Sequence, residues 1–328
     1  MYKAALQVIL AAVLLPAFCL HALAWDAAGH KTVAAIAWRQ MTPATRDRVI
    51  DILRHAPEDS QLSAFYMSYG SQSREARRLD FFMTAATWPD IIKDKELTTR
   101  NKKYSNSNWH YFDTLWREKD GKITILPPGN GGGHMMEKLA DLDKVVRSTA
   151  PAEEKAIAIA WLEHLIGDLH QPLHATARVI GGQGDKGDQG GNLFSLTPKG
   201  AKDKLNLHSF WDGILEQTQP NTGDLCDADY LRPIVESIVT EYPYSKLQPR
   251  LADDKYDVWE QESVDVATHE LYKGLKRYEM PSDSYKVKAA NIARERMALA
   301  GYRLADLFNE VFGTDLTDSK PRSNVYVP

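Results

Sequence analysis

The sequence predicts a mainly α-helical protein, a single multi-helix domain with one small β-hairpin element. Three observations carry that expectation. Apolar residues recur at helical spacing through most long segments, N-cap residues and prolines stand where those segments begin, and strand-like stretches are short and flanked by glycine and proline. The chain of 328 residues has no internal repeat, coiled coil or clear linker, so one core of packed helices accounts for it.

In chain order, the first 24 residues differ from the rest. Lys3 is their only charge, Ile9 to Leu15 is almost wholly apolar, and Ala22-Leu23-Ala24 follows. Residues 1–24 therefore read as a secretory signal peptide with an A-x-A cleavage site and residues 25–328 as the mature domain. The apolar run is shorter than the roughly 18 to 20 residues of a spanning helix, and Pro16-Ala17-Phe18 makes Cys19 a poor site for lipid attachment. Cleavage makes Trp25 the first mature residue.

Beyond the leader, Thr32 to Gln40 has helical spacing through Val33, Ile36 and Ala37, and Thr42-Pro43 is a helix start leading to Val49, Ile52 and Leu53. Arg74 to Ala86 reads as a helix ended by Trp88-Pro89. Leu97 to Gly133 reads as loop with a strand candidate at Lys122 to Leu126. Ser148 to Ala152 caps a long helix that carries His164. Gly181 to Gly191 is a glycine-rich loop, and Phe194 to Leu207 a hairpin turning at Pro198-Lys199-Gly200. Helices follow at Ala228 to Thr240, Val258 to Leu275 and Tyr285 to Phe312, the last with Val287, Ala290, Met297, Leu304 and Phe308 as its core stripe.

The formal net charge of −4 lacks the basic footprint of most nucleic-acid-binding domains. If the substrate is a phosphate ester, positive charge must come mainly from bound metal. Of the two cysteines only Cys226 survives cleavage, so the mature chain has no internal disulfide. With no Asn-x-Ser/Thr sequon, this fits a bacterial protein, secreted or periplasmic. No later segment is apolar for long enough to span a membrane.

The densest chemistry is His164-Leu-Ile-Gly-Asp168-Leu-His170-Gln-Pro-Leu-His174. His164 and Asp168 stand four apart and share a helix face, close enough to hold a metal ion; Pro172 stops the helix and turns His174 back over its end. His208 and Asp212 repeat the spacing, giving with His174 five donors of types zinc accepts. Other candidates are His30, five residues after the new terminus, Asp90 in Trp88-Pro89-Asp90, and His110 among aromatics. Of the ten histidines, His21 falls in the leader, while His55, His134, His170 and His269 read as structural or surface residues.

Together, Trp25 with His30, Trp-Pro-Asp90, His110-Tyr-Phe-Asp113, His164-x3-Asp168-x5-His174, Gly190-Gly191-Asn192 and Asn206-Leu-His208-x3-Asp212 resemble the trinuclear-zinc, single-strand-specific nucleases of the S1/P1 family, within the phospholipase C/nuclease superfamily. The resemblance runs from Trp25 through the helix containing Ala300-Gly301, almost the whole mature chain. It implies three zinc sites: Asp90, His110, His164 and Asp168 for the first, His174, His208 and Asp212 for the second, and the amino group and carbonyl of Trp25 with His30 and a bridging Asp168 for the third. It also implies phosphodiester hydrolysis leaving 5′-phosphates, on single-stranded DNA, RNA and 3′-nucleotides. In that scheme zinc lowers the pKa of the attacking water, Asp90 orients it, Lys93 and Asn192 bind the phosphate, Tyr111 stacks on a base and Asp113 accepts from the base edge. No protein partner or stable membrane association is implied.

Two alternatives stay open. Zinc-dependent phospholipases C resemble this fold and also start with tryptophan, although their second site uses His-x3-Glu where this chain has His208-x3-Asp212. A non-catalytic zinc-binding secreted protein would keep the scaffold, but would be expected to have lost a ligand.

Overall fold

The computed structural model describes residues 25–67, 72–129, 132–181, 186–223, 226–251 and 256–313. The expected leader, residues 1–24, lies outside them, as do residues 182–185 of the glycine-rich loop.

Helix α1 (Ala27–Gln40) begins ahead of Thr32, because Asp26 caps it by accepting from the Gly29 amide at 2.8 Å. Thr42 and Pro43 start α2 (Pro43–Arg54) as expected. After α3 (Arg74–Ala85), Trp88-Pro89 opens a new turn instead of only ending the old one: α4 (Trp88–Ile91) tolerates proline because amides there need no intrahelical acceptor, and this turn carries Asp90. The stretch from Leu97 to Gly133 is more ordered than a loop. It holds α5 (Thr98–Tyr104) and the strands β1 (Thr114–Lys119) and β2 (Lys122–Ile125), joined at Asp120-Gly121, where both residues have positive φ. β1 pairs antiparallel with β2 and parallel with β3 (Thr176–Arg178), in the order β2-β1-β3.

Helix α6 (Met135–Arg147), which sequence reasoning passed over, buries Met135, Leu139, Leu142 and Val146 at helical spacing. It leads to α7 (Ala152–His170), in which every residue from Ala158 to His170 is buried. A helix covered all round is the axis of a fold, and α1, α2, α6, α12 and α13 pack around α7. The expected hairpin of Phe194 to Leu207 is reduced to one isolated bridge, Ser195 with Asn206, flanked by Leu196–Leu205 and Leu207–Phe194 backbone bonds. Then come α8 (Leu207–Asp212), α9 (Ile214–Thr218), α10 (Asp227–Glu241), α11 (Tyr244–Leu251), α12 (Tyr256–Val266) running into a π-helical turn at Ala267–Leu271, and α13 (Asp283–Phe312).

One residue of the expected α13 core stripe falls outside it. Met297, Leu304 and Phe308 are fully buried, but Val287 is 62 % exposed, because the first turns of α13 bury the face of Tyr285 and Ala289, two residues away on either side. The fold is mainly α with one small sheet. No helix among the described residues is long and apolar enough to cross a membrane.

Candidate metal centre

The centre is built on α7, where His164 and Asp168 are both fully buried. Between them sits Gly167, and a Cβ there would lie 2.9 Å from His30 Nδ1, so glycine is what lets His30 of α1 reach this face. The rings of His30 and His164 stack with centroids 3.8 Å apart, and His30 Nε2 is 3.3 Å from Asp168 Oδ1. Trp25, wholly buried, donates its indole N–H to the Gly167 carbonyl at 2.9 Å.

On the other side of Asp168, Oδ2 lies 3.2 Å from His110 Nδ1 and 3.3 Å from His164 Nε2. Asp90 Oδ1 is 3.8 Å from His110 Nδ1 and 3.6 Å from His164 Nε2. A further set comes from the turn after α7 and from α8: Asp212 reaches His174 Nε2 at 3.7 Å and His208 Nε2 at 3.6 Å. Backbone bonds tie the sets together, since the His110 carbonyl accepts from His174 Nδ1 at 2.6 Å and the His174 carbonyl from the Phe112 amide at 2.8 Å. Among the described residues, three groups could thus hold a metal ion, each with its donor atoms within 4.8 Å of one another: His30, His164 and Asp168; Asp90, His110 and His164; His174, His208 and Asp212.

The donor chemistry fits a cation. His164 Nδ1 donates to the Ala86 carbonyl at 2.8 Å, His174 Nδ1 to His110 and His208 Nδ1 to the Gly190 carbonyl at 2.7 Å. Each of these rings therefore points its Nε2 lone pair inward. His30 Nδ1 and Nε2, His174 Nε2, Asp168 Oδ1 and Asp212 Oδ2 are buried with no hydrogen-bond partner. Each such atom costs about 1–3 kcal/mol when unsatisfied, and a positive ion removes that cost for lone pairs that face one another. Separations of 3.2–3.8 Å are close to the edge of a tetrahedron with bonds of about 2.0–2.2 Å.

Electrostatics agrees. Burial holds His110 and His164 well below the usual imidazole range and takes His30 down to about 4, so all three are neutral donors. Burial also pushes the Asp168 carboxyl well up and Asp212 up to about 6, a penalty that a divalent ion reverses. Burial works against the charge on Asp90 too, yet the Lys93 ammonium beside it outweighs burial and holds that carboxyl below its ordinary value.

Around this centre, Lys93 Nζ lies 2.6 Å from Asp90 Oδ1. Tyr111 and Asp113 continue the chain from His110 and are partly buried; burial, reinforced by Asp188, lifts Asp113 to about 6. Asn192 is turned to its own loop, donating to the Gln189 carbonyl at 2.9 Å. That loop needs glycine at position 190, where φ is +60° and a Cβ would lie 2.3 Å from the Leu173 carbonyl.

Sequence reasoning missed the supports. Gln171 donates to Asp212 Oδ1 at 2.6 Å and accepts from the Leu173 amide. Asp188 accepts from the Arg178 and Gly191 amides and from the Tyr272 hydroxyl. Gln171 stood inside the His164 to His174 stretch and was legible as a polar residue of unknown purpose; the carbonyls of Ala86, His110 and Gly190 carry no side-chain signal. His170 is structural, as expected: its Nε2 accepts from Arg303 at 2.8 Å, which leaves Nδ1–H to donate to the Ile166 carbonyl.

A family model described as S1/P1 Nuclease matches residues 25–313. Among curated relatives, Nuclease P1 of Penicillium citrinum is 24 % identical over 303 residues, covering 89 % of this chain and 99 % of that one. Nuclease S1 of Aspergillus oryzae is 24 % identical over 293 residues, 86 % of this chain and 89 % of that one. Endonuclease 2 of Arabidopsis thaliana is 27 % identical over 160 residues, so the chain spans about half its length, 52 %, with 48 % of its own.

Proposed function

Because the chain belongs to the S1/P1 nuclease family, we propose that it is a secreted or periplasmic zinc-dependent endonuclease that hydrolyses single-stranded DNA and RNA to 5′-phosphorylated products and also acts as a 3′-nucleotidase. The observation that carries this reading is the convergence of three His/Asp groups in which His30 Nε2, His174 Nε2, Asp168 Oδ1 and Asp212 Oδ2 are buried without a hydrogen-bond partner. Nitrogen and carboxylate donors in small sets suit zinc. Asp90, His110, His164 and Asp168 would hold one ion, His174, His208 and Asp212 a second, and His30 and Asp168 a third, completed by the amino group and carbonyl of Trp25 after the leader is cut. Bound zinc supplies Lewis-acid polarisation of the phosphoryl oxygens and makes water more acidic.

The chain's own groups do the rest. Asp90, held ionised beside Lys93, accepts a proton of the attacking water and fixes its direction. Lys93 offsets the phosphate's charge. Asn192 has one amide N–H committed to Gln189, and its other N–H donates to a phosphate oxygen. Tyr111 stacks on an unpaired base, which favours single strands because duplex bases are already stacked, and Asp113 accepts from the base edge.

The test is to incubate protein that begins at Trp25 with single-stranded DNA, RNA and phosphatidylcholine, with and without a zinc chelator. Release of 5′-nucleotides that the chelator abolishes is the expected result. Cleavage of the lipid alone would overturn the reading in favour of a phospholipase C, and no cleavage of any of them in favour of a non-catalytic zinc protein.

A further inference from the structure

Between Asp168 and His174 stands a glutamine that the proposed chemistry leaves without a task. Gln171 is fully buried, and its backbone spans the corner: its amide donates to the Asp168 carbonyl at 2.9 Å and its carbonyl accepts from the His174 amide at 2.9 Å. Pro172 forces position 171 out of the helix into an extended conformation, with φ −84° and ψ 109°. From there the side chain makes two contacts. Its Oε1 accepts from the Leu173 amide at 2.7 Å, inside the tight turn Pro172–His174 that aims His174. Its Nε2 donates to Asp212 Oδ1 at 2.6 Å, 41 residues along the chain. A side-chain amide of this length carries the acceptor and the donor that both contacts need; an ionised glutamate lacks the donor and leucine lacks both.

The two oxygens of Asp212 are thereby made unequal. Oδ1 is taken by Gln171, while Oδ2 is buried with no hydrogen-bond partner and lies 3.6 Å from His208 Nε2. His174 and His208, with ring centroids 4.7 Å apart, are each oriented by a backbone carbonyl at Nδ1; Asp212 is oriented by Gln171. Two imidazoles and one carboxylate oxygen make three protein donors, the number that leaves a fourth position of a zinc ion to water or substrate. A second oxygen from Asp212 would fill it. We propose that Gln171 is the positioning residue of the His174, His208 and Asp212 set: it turns one oxygen of Asp212 to the ion and couples that oxygen to the turn that presents His174, so the donors are gathered before the ion arrives. This rests on the zinc-dependent nuclease reading.

The test titrates a chromophoric chelator against zinc-loaded protein that begins at Trp25. Gln171→Met keeps the length of the side chain and loses both hydrogen bonds. One zinc ion of the three is expected to bind about ten- to a hundredfold more weakly in that variant, with the other two at wild-type affinity. Hydrolysis of single-stranded DNA should fall at limiting zinc and recover when free zinc is raised by the same factor, a recovery that damage to the scaffold would not show. Three unchanged affinities would overturn the proposal, as would an equal weakening of all three, which a merely structural role predicts. Should Gln171→Met not fold, the wild-type chain decides: with cobalt in place of zinc and nitrogen-15 in its glutamines, one side-chain amide is expected to show a paramagnetically shifted proton pair, and its absence overturns the proposal equally. Failure of the zinc reading shows separately, as a wild-type chain that holds no zinc.

Discussion

Asp168 places one carboxylate against three imidazoles: His30 on one oxygen, His110 and His164 on the other, all at 3.2–3.3 Å. It joins two of the three groups, and its full burial makes an unpaired charge there costly. Asp168→Asn keeps the shape but removes the charge and turns an NH2 toward inward lone pairs. Loss of bound zinc and a fall in kcat beyond the 10–100-fold typical of outer partners are expected, measured by elemental analysis and single-stranded DNA hydrolysis; full zinc content with full rate would refute its role. His164 and Asp168 were legible in the sequence because His-x3-Asp occurs twice, whereas His30 and His110, ambiguous alone, were assigned through the family resemblance. What orients them was not. The Ala86, His110 and Gly190 carbonyls that set the imidazole tautomers belong to residues chosen for the path of the backbone, and that path exists only in the fold.

At the scale of elements, the end of α7 is held by a charged knot between α12 and α13. Glu262 accepts from Arg296 at 2.7 Å and Arg303 at 2.8 Å, both arginines almost wholly buried. Arg296 also donates to the His170 carbonyl and to Ser263, whose hydroxyl reaches the Leu169 carbonyl. The knot thus fixes the corner where the chain turns to His174. Burial opposes the Glu262 charge, but Arg303, Arg296 and Arg250 outweigh it and depress its carboxyl below the ordinary range. A depressed carboxylate contributes stability that is complete above its unfolded value of about 4.3 and is lost as pH falls through its folded value. Glu262→Gln is therefore expected to destabilise by about 3–5 kcal/mol near neutral pH, because two buried guanidinium groups lose their partner, and to lose less stability than wild type on acidification. Denaturant unfolding at neutral and acid pH checks this; equal midpoints at both would contradict it.

Element boundaries were less readable than element types. Proline after Trp88 signals a break but not that a new turn follows. The Leu97 to Gly133 stretch hides β1 because Trp116 and Leu115 are buried side by side, without the alternation that marks a half-buried strand. Val287 shares the period of α13 but not its covered face.

Over the whole molecule, the proposed activity requires a mildly acidic chain of net charge −4 to bind a polyanion. In the proposed account it does so by concentrating positive charge: zinc in the centre and Lys93 beside Asp90. The helical scaffold was legible in the sequence as repeated amphipathic periods, while the wrapping of α7 by α1, α2, α6, α12 and α13 depends on packing that periodicity does not encode.

The central claim, that three His/Asp groups hold zinc for phosphodiester hydrolysis, is tested most directly by counting zinc in protein that begins at Trp25 while following single-stranded DNA hydrolysis through chelation and zinc restoration. The account predicts three zinc ions per chain, activity lost as they are removed, and activity regained on their return. Hydrolysis that continues unchanged after the zinc has been stripped would contradict it.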